Sequence, residues 1–463
     1  MNVVVGSGPN GLAAAIVLAQ AGLNVTVHET ATIAGGATRS GELTLPGFVH
    51  DLGSAVHPMA VSSPFFSKLP LQQHGLQWIW PEAAVAHPLD DGTAVMLERD
   101  VAATAAQLGP DRDAYRKLFD PLVKNWAELI DGALRPIGWP IHPFLMARFG
   151  IRAIQSAAGL ARSLFRGPRA RALFAGVSAH SNLPLESPLS ASFGLIMCAA
   201  AHAVGWPIAR GGSQSIANAL VGILASAGGS VKVSSRVEAL PEGSDLTLCD
   251  VTPRQFLQLA GGRLPAAYRT KLENYKYGPG VFKVDWALRE PIPWRARDCR
   301  RAATVHLGAS LEEIAASERD VWRGGIGAHP YVLLVQPSLF DPTRAPEGRH
   351  TAWAYCHVPN GSAVSALAQM ESQIERFAPG FSECILARAV QTPAQMQAWN
   401  ENLVGGDIVG GAVTPMQFFF RPTWKRYVTP LKGVYLCSSS TPPGGAVHGM
   451  CGYWAAQRAL RKR

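Results

Sequence analysis

Val3-Val4-Val5-Gly6-Ser7-Gly8-Pro9-Asn10-Gly11, then the small and aliphatic run Leu12 to Gly22, then Asn24-Val25-Thr26-Val27-His28-Glu29, is the stretch that decides the fold. Three β-branched residues without polar alternation have the pattern of a parallel strand covered on both faces. Leu12 to Gly22 reads as a helix closed by a glycine, and residues 24–29 as a second strand ending in a carboxylate. The unit is strand, glycine-rich turn, helix, strand. Gly6 permits the tight turn, Gly8 lets a pyrophosphate approach the backbone at the helix N-terminus, and Gly11 allows close helix–strand packing. Ser7, Pro9 and Asn10 fill the turn between them. Glu29, eighteen residues past Gly11, is placed to accept hydrogen bonds from an adenosine ribose.

This unit does not by itself separate NAD from FAD. A second glycine pair follows Glu29 in Gly35-Gly36-Ala37-Thr38-Arg39, whose hydroxyl and cation suit phosphate oxygens. At the other end of the chain Gly433 to Cys437 reads as an apolar strand, Ser438 to Gly449 as a glycine-rich turn and Met450 to Leu460 as a helix. That arrangement would deliver another helix N-terminus to an extended ligand. Its positive end would stabilise negative charge on a reduced isoalloxazine.

Six segments carry a family resemblance: GSGPNGLAAA, residues 35–58, HPLDDG at 87–92, GWPIARGGSQSIANAL at 205–220, VGGDIVGG at 404–411 and TPPGGAVHGMCGYWAA at 441–456. Together they resemble the phytoene-desaturase-like flavoproteins of the amine-oxidase-like FAD superfamily, in the branch called pyridine nucleotide-disulphide oxidoreductase-domain proteins. The resemblance spans nearly the whole chain. It implies an α/β fold in which a discontinuous Rossmann-like FAD-binding domain is threaded through an α+β substrate domain with a helical cap. It also implies FAD as cofactor and hydride removal from an unactivated carbon. By resemblance Gly6, Gly8 and Gly11 hold the pyrophosphate, Glu29 the ribose, and Gly35, Gly36 and Arg39 the phosphate loop. Val237, in a strand expected over Ser230 to Val237, matches the position whose backbone meets adenine. Pro443, Gly444, Gly445 and Val447 match the flavin-facing turn. In one respect the chain departs: Cys437 is followed by Ser438-Ser439-Ser440 where many relatives have Gly and then Asp or Ala, so a carboxylate on the ribityl chain is absent and Ser439 is expected to substitute with its hydroxyl or backbone N–H.

Composition agrees with a large folded catalyst. The 463 residues are about three times the ~150-residue prior for one domain. Apolar residues are 48% and charged residues 16%, which excludes a disordered or coiled-coil chain. The seven cysteines lie far apart, with no CxxC, so neither a disulfide framework nor a dithiol relay is expected. No His/Cys/Asp/Glu cluster has metal-ligand spacing. With a buried strand starting at the N-terminus, no secretory leader is read, and the expected location is cytoplasmic. Leu189 to Ala209 is interrupted by polar residues and reads as a buried helix, not a membrane span.

The net charge of +9 is concentrated. Between Gly132 and Leu185 there is no acidic residue, while Arg135, Arg148, Arg152, Arg162, Arg166, Arg169 and Arg171 alternate with apolar residues at spacings near three and four. The 132–185 stretch is thus either a peripheral docking face on anionic lipid at the inner face of the membrane, or a solvated face or subunit contact. Nucleic acid is not an expected partner, for want of any recognised binding module.

Few residues are candidates for chemistry. His448, in the flavin-facing turn, is the candidate catalytic group or, alternatively, the cap of the last helix. His180 and His202 are expected to be hydrogen-bonded core histidines. Gly405 to Gly411 has glycines but is expected to run into a strand over Ala412 to Phe420, leaving one dinucleotide fingerprint in the chain. The expected organisation is an FAD domain from 1–60, 205–262 and 404–463, and a capped substrate domain from 61–204 and 263–403. The expected reaction is hydride abstraction from an apolar isoprenoid-like or amine-bearing small molecule, forming C=C or C=N, with oxygen or a quinone as acceptor. A non-catalytic FAD-fold scaffold or chaperone-like binding protein is the alternative.

Overall fold

The computed structural model describes residues 2–138 and 141–462. Met1, Arg463 and, within the 132–185 stretch, Trp139 and Pro140 lie outside the described residues. Two sheets organise the chain, and it passes back and forth between them. The first has five parallel strands in the order Val434–Leu436, Leu246–Cys249, Asn2–Val5, Val25–His28, Ser230–Lys232. Asn2–Val5 is central and wholly buried, as its unbroken apolar run demands. Helix Pro9–Gln20 starts with proline at its first position, where the missing N–H costs nothing, and returns the chain to Val25–His28. Helix Met450–Leu460 lies against it so closely that a Cβ on Gly452 would overlap the carbonyl oxygen of Asn10.

The second sheet has seven strands in the order Ile385–Gln391, Gly280–Leu288, His350–Val358, Val332–Val335, Ala302–Leu307, Ala83–Pro88, Ala94–Glu98. All its pairings are antiparallel except Ala302–Leu307 with Ala83–Pro88. Its two faces differ. Phe282, Val284, Trp286, Leu334, Ala352 and Ala354 pack under Met370, Ile374 and Phe377 of helix Leu367–Phe377 in a purely apolar cluster. The alternate residues, pointing the other way by the two-residue period of a strand, include Lys283, Asp285, Trp353, Tyr355, His357 and His306, and all of these are buried. Helices Pro168–Ser178 and Leu311–Trp322 cover that polar and aromatic face.

Two local expectations fail. Ser230 to Val237 is a strand only as far as Lys232, because Ser234 turns the chain at φ 50° and gives its N–H to the carbonyl of Ala31. Ala412 to Phe420 is no strand: Pro415–Phe420 is a short helix whose cap, Thr414, accepts the N–H of Gln417. Pro415 at its first position and the capping threonine outweigh the β-propensity of three consecutive phenylalanines. Leu189 to Ala209 holds helix Ser190–Ala203, and among the described residues no helix is long and apolar enough to cross a membrane.

Candidate cofactor cleft

A cleft of about 620 Å³ opens at the carboxyl ends of the parallel strands. Its floor is the first turn. Gly6 has φ +95°, and a Cβ on Gly11 would overlap the Gly6 carbonyl oxygen, so neither position tolerates a side chain. Gly36, at φ +54°, seats the second glycine pair on the first: its Cβ would fall 2.9 Å from the Cα of Gly8.

Glu29 lines the cleft. Its Oε2 accepts from the backbone N–H of Ser7 at 2.9 Å and from the Ser7 hydroxyl at 2.6 Å, and its Oε1 from the N–H of Ala31 at 2.8 Å. The carboxylate is fixed by these bonds at the cleft wall, beside Val237. Gly410, Ser438 and Ser439 line it as well. Ser438 and Ser440 spend their hydroxyls on the carbonyls of Val251 and Gly410, holding the turn, so Ser439 is the serine with a hydroxyl left for the cleft, 3.5 Å from Asn10 Nδ2. Asn10 Oδ1 is buried without a partner, as an acceptor awaiting a donor on a ligand would be.

Of the residues expected at a cofactor, Gly6, Ser7, Gly8, Pro9, Asn10, Glu29, Gly36, Ala37, Arg39, Val237 and Ser439 line this cleft. Gly11, Gly35 and Thr38 support it from behind; the Thr38 hydroxyl donates to the Gly35 carbonyl. Pro443, Gly444, Gly445 and Val447 lie beyond its walls, in the turn before the last helix. There the backbone of Gly445 is pressed against Val409 and that of Gly444 against the Arg421 guanidinium. His448 is buried at the same turn; its Nδ1 accepts the N–H of Met450, so it caps the last helix. Burial lowers its pKa to about 4, leaving the ring neutral and able to accept that bond. His202 bonds Tyr115 at 2.8 Å, as a core histidine should, and His180 meets His306 at 3.1 Å.

Sequence reasoning missed two parts of the cleft. Asp250, the first residue after Leu246–Cys249, is 6% exposed, and its Oδ2 accepts the N–H of Gly11 at 2.8 Å. Burial pushes it up to about 7, against the lowering effect of that bond, with Glu29 adding to the rise. The signal was an acid directly after an otherwise fully buried central strand. The second part is the segment following helix Pro393–Trp399, which straps across the cleft mouth. Glu401 makes a two-pronged ion pair with Arg236 at 2.7 and 3.2 Å, and Asn402 joins the Asp250 carbonyl and the N–H of Thr252. Arg39 donates to the Trp399 carbonyl at 2.8 Å and lies over the Trp399 ring at 4.9 Å. No long-range pairing of this kind could be read from spacing.

The 132–185 arginines are only partly free. Arg135 pairs with Asp131, Arg162 with Glu312, Arg171 with the Phe165 carbonyl, and Arg169 with Gln107, Thr93 and Ala94. Arg148 and Arg152 border a shallow groove on helices Pro143–Ala153 and Ala157–Leu164, beside exposed Ile151. The seven cysteines are free and buried, and no group of three His, Cys, Asp or Glu side chains among the described residues could hold a metal.

Residues 4–69 match the family described as an NAD(P)-binding Rossmann-like domain. Over 99% of this chain and 93% of its own length, the pyridine nucleotide-disulfide oxidoreductase domain-containing protein 2 of Rattus norvegicus is 25% identical. A phytoene dehydrogenase of Streptomyces griseus is 24% identical over 96% of this chain and 92% of its own length. In sequence the chain is similar to phytoene dehydrogenases, and it carries the fold of solved amine oxidases. A solved putrescine oxidase carries the same fold at a TM-score of 0.63 and 17% identity, covering 100% of this chain and 99% of that one. FAD is the cofactor consistent with that fold, and the cleft fits it. The glycine cradle and helix N-terminus suit a pyrophosphate, and Glu29, Asn10 and Ser439 line the same cleft.

Proposed function

We propose that this oxidoreductase is an FAD-dependent dehydrogenase or oxidase that abstracts hydride from an apolar small molecule, isoprenoid-like or amine-bearing, forming C=C or C=N. The observation that carries the reading is the cleft itself: a glycine cradle at the N-terminus of helix Pro9–Gln20, with Asn10 and Ser439 in the same lining. Bound FAD supplies the two-electron acceptor. The chain's residues do the rest. Gly6 to Gly11 and the N-terminus of helix Pro9–Gln20 bind the pyrophosphate, and Asn10 and Ser439 orient the ribityl side. Trp399 and the Arg236–Glu401 pair exclude water at the mouth. Neutral His448 fixes the turn by capping Met450–Leu460, whose N-terminus would stabilise negative charge on a reduced ring. Hydride abstraction needs an oriented C–H bond and a dry pocket, so it requires no nucleophile. Oxygen or a quinone serves as acceptor in this reading.

The test is anaerobic mixing of the flavin-loaded protein with a panel of isoprenoids and alkylamines. Loss of the oxidised flavin absorbance with at least one class is expected. A yellow protein that no member of either class reduces would favour the scaffold reading instead.

A further inference from the structure

Helix Pro9–Gln20 meets the cleft with an anionic side chain already on its N-terminus. Pro9 has no N–H, Leu12 gives its own to the Gly8 carbonyl at 2.9 Å, and that of Gly11 goes to Asp250 Oδ2 at 2.8 Å. Among the described residues the N–H groups of Gly8 and Asn10 make no hydrogen bond, so these two are left for a ligand. A phosphate that takes them shares the helix end with a carboxylate, since a Cβ on Gly8 would stand 2.7 Å from the same Oδ2.

No cation offsets that carboxylate. Asp250 lines the cleft but is only 6% exposed, and among the described residues no lysine or arginine pairs with it. The guanidinium groups on the same lining are engaged elsewhere: Arg39 with the carbonyls of Gly36 and Trp399, and Arg236 with Glu401. Glu29 and Glu238 add like charge to the lining. Burial lifts the Asp250 pKa to about 7 against the Gly11 bond, with Glu29 adding to the rise. The other groups around it hold their state above that pH. Burial keeps the thiols of Cys249, Cys437 and Cys451 protonated, and burial with Lys232 keeps His28 neutral. A pyrophosphate diester brings two negative charges to this spot, which an ionised acid opposes and a protonated one does not.

We infer that Asp250 belongs to the cofactor site as a proton acceptor: seating a pyrophosphate on the glycine cradle draws one proton from solvent onto Asp250 Oδ1, while Oδ2 keeps its bond from Gly11. This rests on the reading of the cleft as an FAD site. Where the empty protein already holds the proton, at low pH, affinity is at its full value. As pH rises through the titration of the empty site, each binding event must take the proton from solvent, and affinity falls until the loaded site deprotonates as well.

The test dilutes the flavin-loaded full-length protein at pH 6, 7, 8 and 9 and reads released FAD by its fluorescence. The dissociation constant of the native protein should rise about tenfold or more across that range, the equivalent of one pKa unit between empty and loaded sites. Dilution at pH 8 in weak buffer should also release about half a proton or more per FAD, read with an indicator dye. Asp250→Asn keeps an acceptor for Gly11 and never ionises, so its dissociation constant should vary by less than about threefold, with no proton released. A flat native profile without proton release overturns the inference whatever the variant does, and so does a slope that the variant keeps; both leave the FAD reading standing. A native protein that holds no FAD at any pH overturns the two together.

Discussion

The carboxylate of Asp250 accepts the backbone N–H of Gly11 at 2.8 Å, beneath the glycine-rich turn at the floor of the cleft. A Cβ on Gly8 would come within 2.7 Å of the same oxygen, so the acid lies directly beneath the cradle. Its pKa, raised by burial to about 7 from 3.8, ties stability to pH. Below about pH 4 it is protonated in both folded and unfolded chains. Between about 4 and 7 the unfolded chain releases the proton and the native chain keeps it, so this group's effect on stability becomes more unfavourable as pH rises through that window and is constant above it. Asp250→Asn, which still accepts from Gly11, should remove that slope. The measurement is the difference in unfolding free energy between variant and native protein at pH 4.5, 6 and 7.5: it should grow in the variant's favour as pH rises, by up to about a few kcal/mol.

Gly8→Val should abolish FAD retention. Its side chain would collide with Asp250 Oδ2 and occupy the path of the pyrophosphate. Flavin released by heat and measured by absorbance should fall from near one per chain to almost none. Stoichiometric recovery would refute the assignment of the cradle.

The strap across the cleft mouth should control how fast FAD leaves. Arg236 and Glu401 are each about half exposed, so breaking their pair by Glu401→Gln should speed release only a few-fold. Trp399→Ala removes the ring under Arg39 and should act more strongly, about tenfold. The rise in flavin fluorescence after dilution reads both rates.

NADH and NADPH should not reduce the flavin at a rate comparable to turnover. Gly405 to Gly411 does precede a helix, contrary to expectation, but that helix is six residues long, and the turn is filled: a Cβ on Gly411 would overlap the Tyr275 hydroxyl, and Gly410 is packed on Ser439. No space remains there for a second pyrophosphate. Stopped-flow mixing of oxidised protein with each nucleotide decides the matter.

Contact of the 132–185 stretch with anionic lipid, if it occurs, should depend on the arginines left free. We propose Arg148, Arg152 and Arg166 with exposed Phe144 and Ile151 as that face. Replacing the three arginines by Gln should release the protein from phosphatidylserine vesicles at low salt without changing flavin absorbance. Absence of co-sedimentation by the native protein would leave this stretch as an ordinary solvated surface.

Much of the cradle was legible because it is local. Gly6, Gly8, Gly11 and Glu29 fall within one strand–turn–helix–strand unit, so their spacing along the chain already brings them to one cleft. Asp250 and the strap residues were not legible, since each reaches the cleft through pairings across 150 or more residues, such as Asn402 with the N–H of Thr252. The same limit hid the polar sheet face: Glu318 and His357 are 39 positions apart on a helix and a strand, and neither has a motif. The Pro415–Phe420 helix escaped because three phenylalanines look like a strand until the cap is seen.

The parallel sheet draws its strands from residues 2–28, from 230–249 and, at one edge, from 434–436. During synthesis, therefore, the nucleotide-binding half remains incomplete until after the last strand of the seven-stranded sheet, Ile385–Gln391, has been made. The helix that seals Pro9–Gln20 is still in the ribosomal tunnel while the seven-stranded sheet is already outside. The nascent chain exposes the flank of Leu246–Cys249 as an unpaired, apolar edge throughout that interval. Production of this protein should accordingly be more sensitive to translation rate and chaperone supply than its length suggests.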